Sequence, residues 1–106
     1  MDIREEFYVL LLDRANHVLG YHVLSQGGTA ATVVDPKILF GLALESLASS
    51  IIVAHNHPSG NLKPSQQDIS LTRKLKESGK TLDINVLDHI IITKEGYYSF
   101  ADEMQL

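Results

Sequence analysis

The sequence predicts an α/β (α+β) fold in which a mixed β-sheet is flanked by helices. Strand-like and helical segments alternate along the 106 residues, but without the strict strand–helix–strand order of a purely parallel sheet. The first two strand-like runs are joined by a short turn, which is typical of an antiparallel hairpin. Two further segments carry apolar residues at helical spacing, so each is predicted to lay one face on a sheet.

Three strands are predicted before the first helix. Residues 6–13 and 17–24 are rich in aliphatic, aromatic and β-branched residues, with a turn at 14–16 between them. Residues 25–28 interrupt this pattern, and Thr29 to Val34 again favour an extended chain. His17 and His22 alternate with apolar neighbours on the second strand, so we expect both on its solvent face.

The first helix is predicted to begin at Asp35-Pro36, because an acidic N-cap followed by proline is a strong helix start. Its end is expected at Ser49-Ser50. Apolar residues recur through this segment at the spacing of one helix face. That face is formed by Ile38, Leu39, Leu42, Ala43 and Leu47, and Phe40 and Leu44 widen it.

The second half of the chain is predicted to contain a buried strand, a helix and two or three shorter strands. The strand spans 51–54, and the helix runs from Ser65 to Ser78 with Gly79 as the residue just past its end. Residues 84–87 and 89–93 are strand-like, and a turn at 94–96 leads into 97–100. The tail, 101–106, is expected to form a short helix.

Composition bounds the class of protein. With 106 residues, 44% hydrophobic and 21% charged, the chain is predicted to be one globular domain. It has no cysteine, which excludes disulfides and thiolate metal sites. No apolar stretch has the length of a membrane span, and the first residues do not resemble a signal peptide, so the cytoplasm is the expected location and no membrane partner is expected.

The net charge of −4 disfavours a nucleic-acid partner held through its phosphates by this domain alone. A local basic patch of Arg73, Lys74, Lys76 and Lys80 lies on the second predicted helix. A solvated helix face is the ordinary explanation of such a cluster. Oligomeric state is left open by the sequence.

The stretch from His55 to Asp68 carries the candidate chemistry. His55 and His57 are two apart at the end of a buried strand, so both rings project from the same side. Asp68 shares a helix face with Leu71 and Leu75, which predicts that it points inward, toward the strand end. Two imidazoles and one carboxylate are a common ligand set for zinc, and a fourth position would stay free for water.

A second explanation of the same residues is structural. Ser65 and Asp68 have the spacing of a helix capping box, with Ser65 as N-cap and Asp68 at the third helical position. Capping is the commoner role for such a pair. The inward placement of Asp68 favours the metal site, because a purely capping Asp has no need to face the apolar side.

The pattern His-x-His, seven residues, Ser, two residues, Asp resembles the motif of the JAMM (MPN-type) metalloproteases. The string from His55 to Gly60, with Ser65 and Asp68, is similar to the bacterial RadC branch of that family. Similar segments stand at 25–28, 35–36 and 87–92, so the resemblance covers the chain from about Glu5 to Phe100. It implies a single domain of JAMM/cytidine-deaminase-like architecture over 1–106, without the helical region that often precedes this domain in RadC-like proteins.

This resemblance implies a role for each residue of the motif and for one glutamate upstream of it. Zn²⁺ would be held by His55, His57 and Asp68, and Ser65 would donate to the oxyanion. JAMM proteins carry a glutamate base near the first strand, and either Glu5 or Glu6 could fill that position. Strand alternation places the two on opposite sides, so they cannot both reach the metal; RadC-like sequences favour Glu5, with Glu6 as the alternative base.

His89 is the third histidine considered at the site. It follows Asp88 in the family-like segment and is expected either to hydrogen-bond behind the ligands or to be an ordinary satisfied histidine between strands.

Two functions from different classes follow. The leading hypothesis is a zinc-dependent hydrolase of the JAMM type that cleaves a peptide or isopeptide bond in an unidentified peptide or protein substrate. The alternative is a non-enzymatic DNA-repair accessory or binding module, which rests on the association of RadC-like proteins with repair. A zinc nucleotide deaminase is excluded, because that chemistry uses a Pro-Cys-x-x-Cys motif and the chain has no cysteine.

Overall fold

The computed structural model describes residues 5–26 and 34–106. Within these ranges the chain forms five strands and two helices. The strands are β1 (Glu6–Leu12), β2 (Val18–Gln26), β3 (Ser50–Asn56), β4 (Asn85–Thr93) and β5 (Gly96–Ser99). The helices are α1 (Pro36–Glu45) and α2 (Gln66–Leu82). The predicted strand over Thr29–Val34 falls outside the described residues, apart from Val34.

The five strands form one mixed sheet in the order β2-β1-β3-β4-β5, which confirms the predicted fold class. β1 lies antiparallel between β2 and β3, and β5 is antiparallel to β4. β3 and β4 are parallel, and α2 is the helix of the crossover between them. The central position of β3 buries its inward side chains, and its carboxyl end is where the histidines lie.

Both helices contribute to one apolar core with the inward residues of the strands. Leu39, Phe40 and Ala43 of α1 join that core, as do Leu71 and Leu75 of α2. The strand residues that share this core are Phe7, Val9, Leu11, Ile51, Val53 and Val86. Among the described residues, no helix is long and apolar enough to cross a membrane.

The predicted contact face of α1 is wrong in part. Asp35 does cap the helix, since its side chain accepts from the Lys37 amide. However, Ile38 is 59% exposed, because it lies roughly opposite the buried side at about 100° per residue. Leu47 is 85% exposed, since the helix ends at Glu45 and Leu47 adopts a left-handed φ of 57°.

The predicted end of α2 is also wrong. The helix continues through Gly79 to Leu82, and Asp83 is the left-handed residue that caps it, with φ 59°. Gly79 is needed for another reason: a Cβ there would collide with the main-chain oxygen of Ile84, which leads into β4. The glycine therefore permits close approach of α2 to the following segment rather than ending the helix.

The strand boundaries differ from the predicted ones in ways that matter for the site. β3 extends to Asn56, so His55 belongs to the sheet, and β4 is one continuous strand that includes His89. The tail forms turns instead of the expected short helix. Met104 has a φ of 56°, which is incompatible with a continuing right-handed helix.

Gly79→Ala is predicted to destabilise the domain by about 1–3 kcal/mol, because the added methyl group meets a main-chain oxygen that cannot easily move. The matched control is Gly41→Ala in α1, where an added Cβ meets nothing within 4 Å. There the change should stabilise the domain by about 0.5–1 kcal/mol, since alanine favours a helix. Urea unfolding of both variants measures the difference, and equal effects would contradict the packing role of Gly79.

Candidate metal centre

Three side chains from two elements converge at the carboxyl end of β3. His55 is the penultimate residue of that strand, and His57 follows the strand by one residue. Asp68 lies in the first turn of α2 and is 2% exposed, although it is a carboxylate. His55 is fully buried. The inward orientation predicted for Asp68 from helical spacing is therefore what the structure has.

The distances between the three donors are short. His55 Nε2 lies 2.9 Å from His57 Nε2 and 3.1 Å from Asp68 Oδ1. His57 Nε2 lies 3.3 Å from Asp68 Oδ2. Ligand atoms bonded at about 2.0–2.1 Å to a tetrahedral zinc ion would be roughly 3.3–3.4 Å apart. The three donors are thus as close together as such a spacing, or slightly closer.

The Nδ1 atoms of His55 and His57 each have a hydrogen-bond partner away from the three converging donors. His57 Nδ1 lies 2.7 Å from the main-chain oxygen of Asn61, which can only accept, so this nitrogen carries the proton. His55 Nδ1 lies 2.9 Å from His89 Nε2. Burial, and then the adjacent His55, lower the pKa of His89 to about 3, so the His89 ring is neutral and one of its nitrogens is free to accept.

If each ring carries its proton on Nδ1 and none on Nε2, the two Nε2 lone pairs point toward each other and toward the Asp68 carboxylate. Three acceptors then meet without a proton between them, an arrangement that repels itself in a buried environment. A divalent cation accepts all three lone pairs at once and removes this repulsion. The donor set of two imidazoles and one carboxylate therefore fits a metal ion.

Asp68 caps α2 and also contacts both histidines. Its Oδ2 accepts from the Ser65 amide at 2.8 Å, and Ser65 Oγ accepts from the Asp68 amide at 3.1 Å, which completes a capping box. Burial raises the pKa of Asp68, but the hydrogen bond from the Ser65 main chain favours the charged form and lowers the pKa. The carboxylate is therefore ionised and can face a cation.

The strand register separates the two candidate bases. Phe7 of β1 pairs with His55 of β3, so the same antiparallel register places Glu5 opposite His57. One carboxylate oxygen of Glu5 forms a cluster with ring nitrogens of His55 and His57, all within 4.8 Å. Glu6 faces the other way, beside Tyr8, where burial and then the Glu6 hydrogen bond raise the pKa of the Tyr8 hydroxyl.

An open groove of about 480 Å³ leads to two of the three donors, His57 and Asp68, whereas His55 is buried behind them. Its walls include Glu5, His57, Ser65 and Asp68, so these four predicted site residues share one surface. Lys63, exposed, lies on the same surface. His17 and His22 are exposed, as the sequence predicts, although His17 precedes β2 instead of lying on it. Neither histidine lines the groove.

Sequence reasoning missed two contacts that hold the rings. The Asn61 contact is made by a main-chain oxygen, so no side-chain pattern could reveal it. The Thr72 hydroxyl lies 2.5 Å from His89 Nδ1. Thr72 follows Asp68 by one helical turn, and a polar residue on an otherwise apolar helix face was the available signal.

The fold and the converging donors define a class: a small α+β domain with a candidate site for one divalent metal at the end of a parallel strand pair. The sequence matches the family model described as "RadC-like JAB domain" over residues 1–106. The chain therefore belongs to the RadC-like JAB domain family.

Curated relatives support this membership and carry little functional description. The chain is 52% identical over 99 residues to a "UPF0758 protein" of Flavobacterium johnsoniae, covering 93% of the chain and 43% of the relative. It is 44% identical over 101 residues to a "UPF0758 protein" of Porphyromonas gingivalis, covering 94% of the chain and 44% of the relative. A Methanosarcina mazei protein of the same name is 46% identical over 100 residues, with coverages of 94% and 44%. The chain thus spans less than half the length of these relatives.

His57→Ala is predicted to abolish stoichiometric metal binding, because it removes one of three converging donors. His57 is only partly buried, so the fold should survive the change. His22→Ala, on the exposed side of β2, is the matched control and should bind as the unchanged protein does. Metal analysis after purification and dialysis measures this, with about one ion per chain expected before substitution. Full occupancy in His57→Ala would contradict the site.

Proposed function

We propose that this domain is a zinc-dependent hydrolase of the JAMM type that cleaves a peptide or isopeptide bond. The observation that carries the proposal is the convergence of His55, His57 and Asp68 beside a glutamate. Membership of the RadC-like JAB domain family supports the same class of chemistry. The groove gives a substrate access to these groups from solvent.

The proposed zinc ligands are His55, His57 and Asp68. Imidazole nitrogen and carboxylate oxygen are ligands that suit zinc, and three protein ligands leave one position open, as in catalytic rather than structural zinc sites. Bound zinc would lower the pKa of a water molecule at the site to about 7 and would polarise a substrate carbonyl. The residues around the ligands supply the remaining parts of the reaction.

Glu5 is the proposed general base. One oxygen of its carboxylate lies within 4.8 Å of a ring nitrogen of His55 and of one of His57, which is close enough to reach a water beside these rings. It would take a proton from the attacking water and deliver it to the leaving amine. Glu6, with its side chain beside Tyr8, is not placed for this step.

Ser65 is the proposed donor to the oxyanion. Its oxygen accepts from the Asp68 amide as part of the helix cap. A hydroxyl can accept one hydrogen bond and donate another, so capping leaves its proton for a substrate carbonyl oxygen in the groove. Ser65 lines that groove together with Glu5 and His57.

The substrate is proposed only as a class. The groove beside the metal donors is lined by polar side chains and by Pro58 and Pro64, and it is open rather than enclosed. Such a surface suits an extended polypeptide better than a small apolar ligand. The chain spans less than half the length of its relatives. The substrate of the whole protein is therefore part of the proposal as well.

The DNA-repair alternative has one supporting observation. Arg73, Lys74, Lys76 and Lys80 are all exposed on α2. We rank this function second, because the net charge is −4 and because phosphate binding gives no role to the buried donors. Affinity for DNA that falls steeply with added salt would reverse the ranking.

Glu5→Gln is predicted to lower hydrolysis by about 10²–10⁴-fold while zinc stays bound, since a neutral amide cannot accept the proton. Glu6→Gln is the matched control, one residue away and facing the other side of the strand. Both proteins are incubated with a mixed peptide and isopeptide library, and newly released amines, both amino termini and lysine side-chain amines, are counted by mass spectrometry. Equal losses in the two variants, or a loss in Glu6→Gln alone, would reject Glu5 as the base.

Ser65→Gly is predicted to reduce turnover while costing only a few tenths of a kcal/mol in stability, because glycine is tolerated at a helix N-cap. Ser65→Ala removes the same hydroxyl but should cost about 1 kcal/mol through the lost cap. Comparing both variants by urea unfolding and by the library assay separates capping from catalysis. Turnover that follows stability instead of the hydroxyl would leave Ser65 with the capping role alone.

A further inference from the structure

A buried chain of hydrogen bonds runs from α2 to the candidate metal ligands. Thr72 donates its hydroxyl proton to the main-chain oxygen of Asp68 at 2.7 Å. The same hydroxyl oxygen lies 2.5 Å from His89 Nδ1, and His89 Nε2 lies 2.9 Å from His55 Nδ1. Thr72 is 2% exposed, and His89 and His55 are fully buried. The chain thus joins two proposed ligands that sit on different elements.

The Thr72 hydroxyl, at one end of this series of hydrogen bonds, determines which atom donates in each of the others. A hydroxyl has one proton, and that of Thr72 is used on the Asp68 carbonyl, so toward His89 the oxygen can only accept. His89 must then carry a proton on Nδ1. The ring is fully buried against Phe7 and Phe100, where a second proton would place an unsolvated charge, so its Nε2 accepts. His55 Nδ1 therefore donates, which leaves His55 Nε2 unprotonated on the side of His57 and Asp68.

Packing holds both rings in the plane that this chain needs. Phe7 stacks on His55 with ring centroids 5.6 Å apart and an angle of 16° between the planes. Phe100 stacks on His89 at 4.7 Å and 7°. A ring confined in this way, in an apolar and buried setting, finds no competing partner if its hydrogen bond is lost.

We propose that Thr72 is a positioning residue, which acts through His89 to hold His55 in the tautomer that presents Nε2 to the metal. The inference rests on the proposed function for the identity of the ion but not for the direction of the hydrogen bonds. In the reverse direction, Thr72 would donate to His89, and His55 Nε2 would carry a proton where the metal must bind. The bond from Thr72 to the helix carbonyl is what selects between the two directions.

Zinc affinity is the first test, measured by competition with a chromophoric chelator. Thr72→Val keeps the shape of the side chain but removes the hydroxyl, and it should weaken zinc binding about 10–100-fold. Thr72→Ser restores the hydroxyl and should bind within about threefold of the unchanged protein, on the same reasoning. Zinc binding that is unchanged in Thr72→Val, or weakened equally in Thr72→Ser, would overturn the proposal.

The histidine tautomers are the second test, and they need neither zinc nor substrate. Nitrogen-15 spectra of the histidine rings in the metal-free protein at neutral pH should show His55 and His89 protonated at Nδ1. Thr72→Val should give a mixture of tautomers at both rings. A proton on His55 Nε2 in the unsubstituted protein would overturn the proposal by itself, even if Thr72→Val did not fold.

The two tests also separate this inference from the hydrolase proposal. A protein that shows the expected tautomers and their loss in Thr72→Val but cleaves nothing would retain the positioning role and lose the proposed enzymatic activity. A protein that binds zinc and cleaves peptides, with the opposite tautomer at His55, would keep the activity and lose the role of Thr72.

Discussion

The site depends on one electrostatic constraint: two imidazole nitrogens and a carboxylate converge at one largely buried point. Each side chain is held there by a further hydrogen bond: His57 donates to the Asn61 carbonyl, His55 is bonded to His89, and Asp68 accepts from the Ser65 amide. Those bonds come from a loop, a strand and a helix start, so the sheet order and the crossover through α2 are what bring these three side chains together. A cation is the natural partner for such a point.

Much of this site could be predicted from the sequence, because it depends on short-range spacing. The histidines are two positions apart on an extended segment, and one helical turn separates Asp68 from Thr72, so their faces follow from local geometry. The choice between Glu5 and Glu6 could not be made in this way. Alternation shows only that they face opposite sides, whereas the pairing of Phe7 with His55 decides which side meets the rings.

The parts that sequence reasoning placed wrongly are those decided by packing between distant elements. A glycine near the end of a helical pattern usually marks its end, but Gly79 is inside α2, where the chain toward β4 passes too close for a side chain. Ile38 and Leu47 fit a helical apolar pattern and are nevertheless exposed, since Leu39, Phe40 and Ala43 already fill the contact with the sheet. Local periodicity does not show which of two apolar faces the core will take.

The two contacts of Asp68 have a consequence for recognising family members that lack the metal site. Its carboxylate caps α2 as well as facing the histidines, so the helix needs an acid or a similar acceptor there whether or not an ion is bound. A family member without a metal site could therefore replace both histidines and still keep an acidic residue at position 68. When sequences of the family are compared, the pair His55 and His57 is for that reason the more informative marker of a metal site, and Asp68 alone is a poor one.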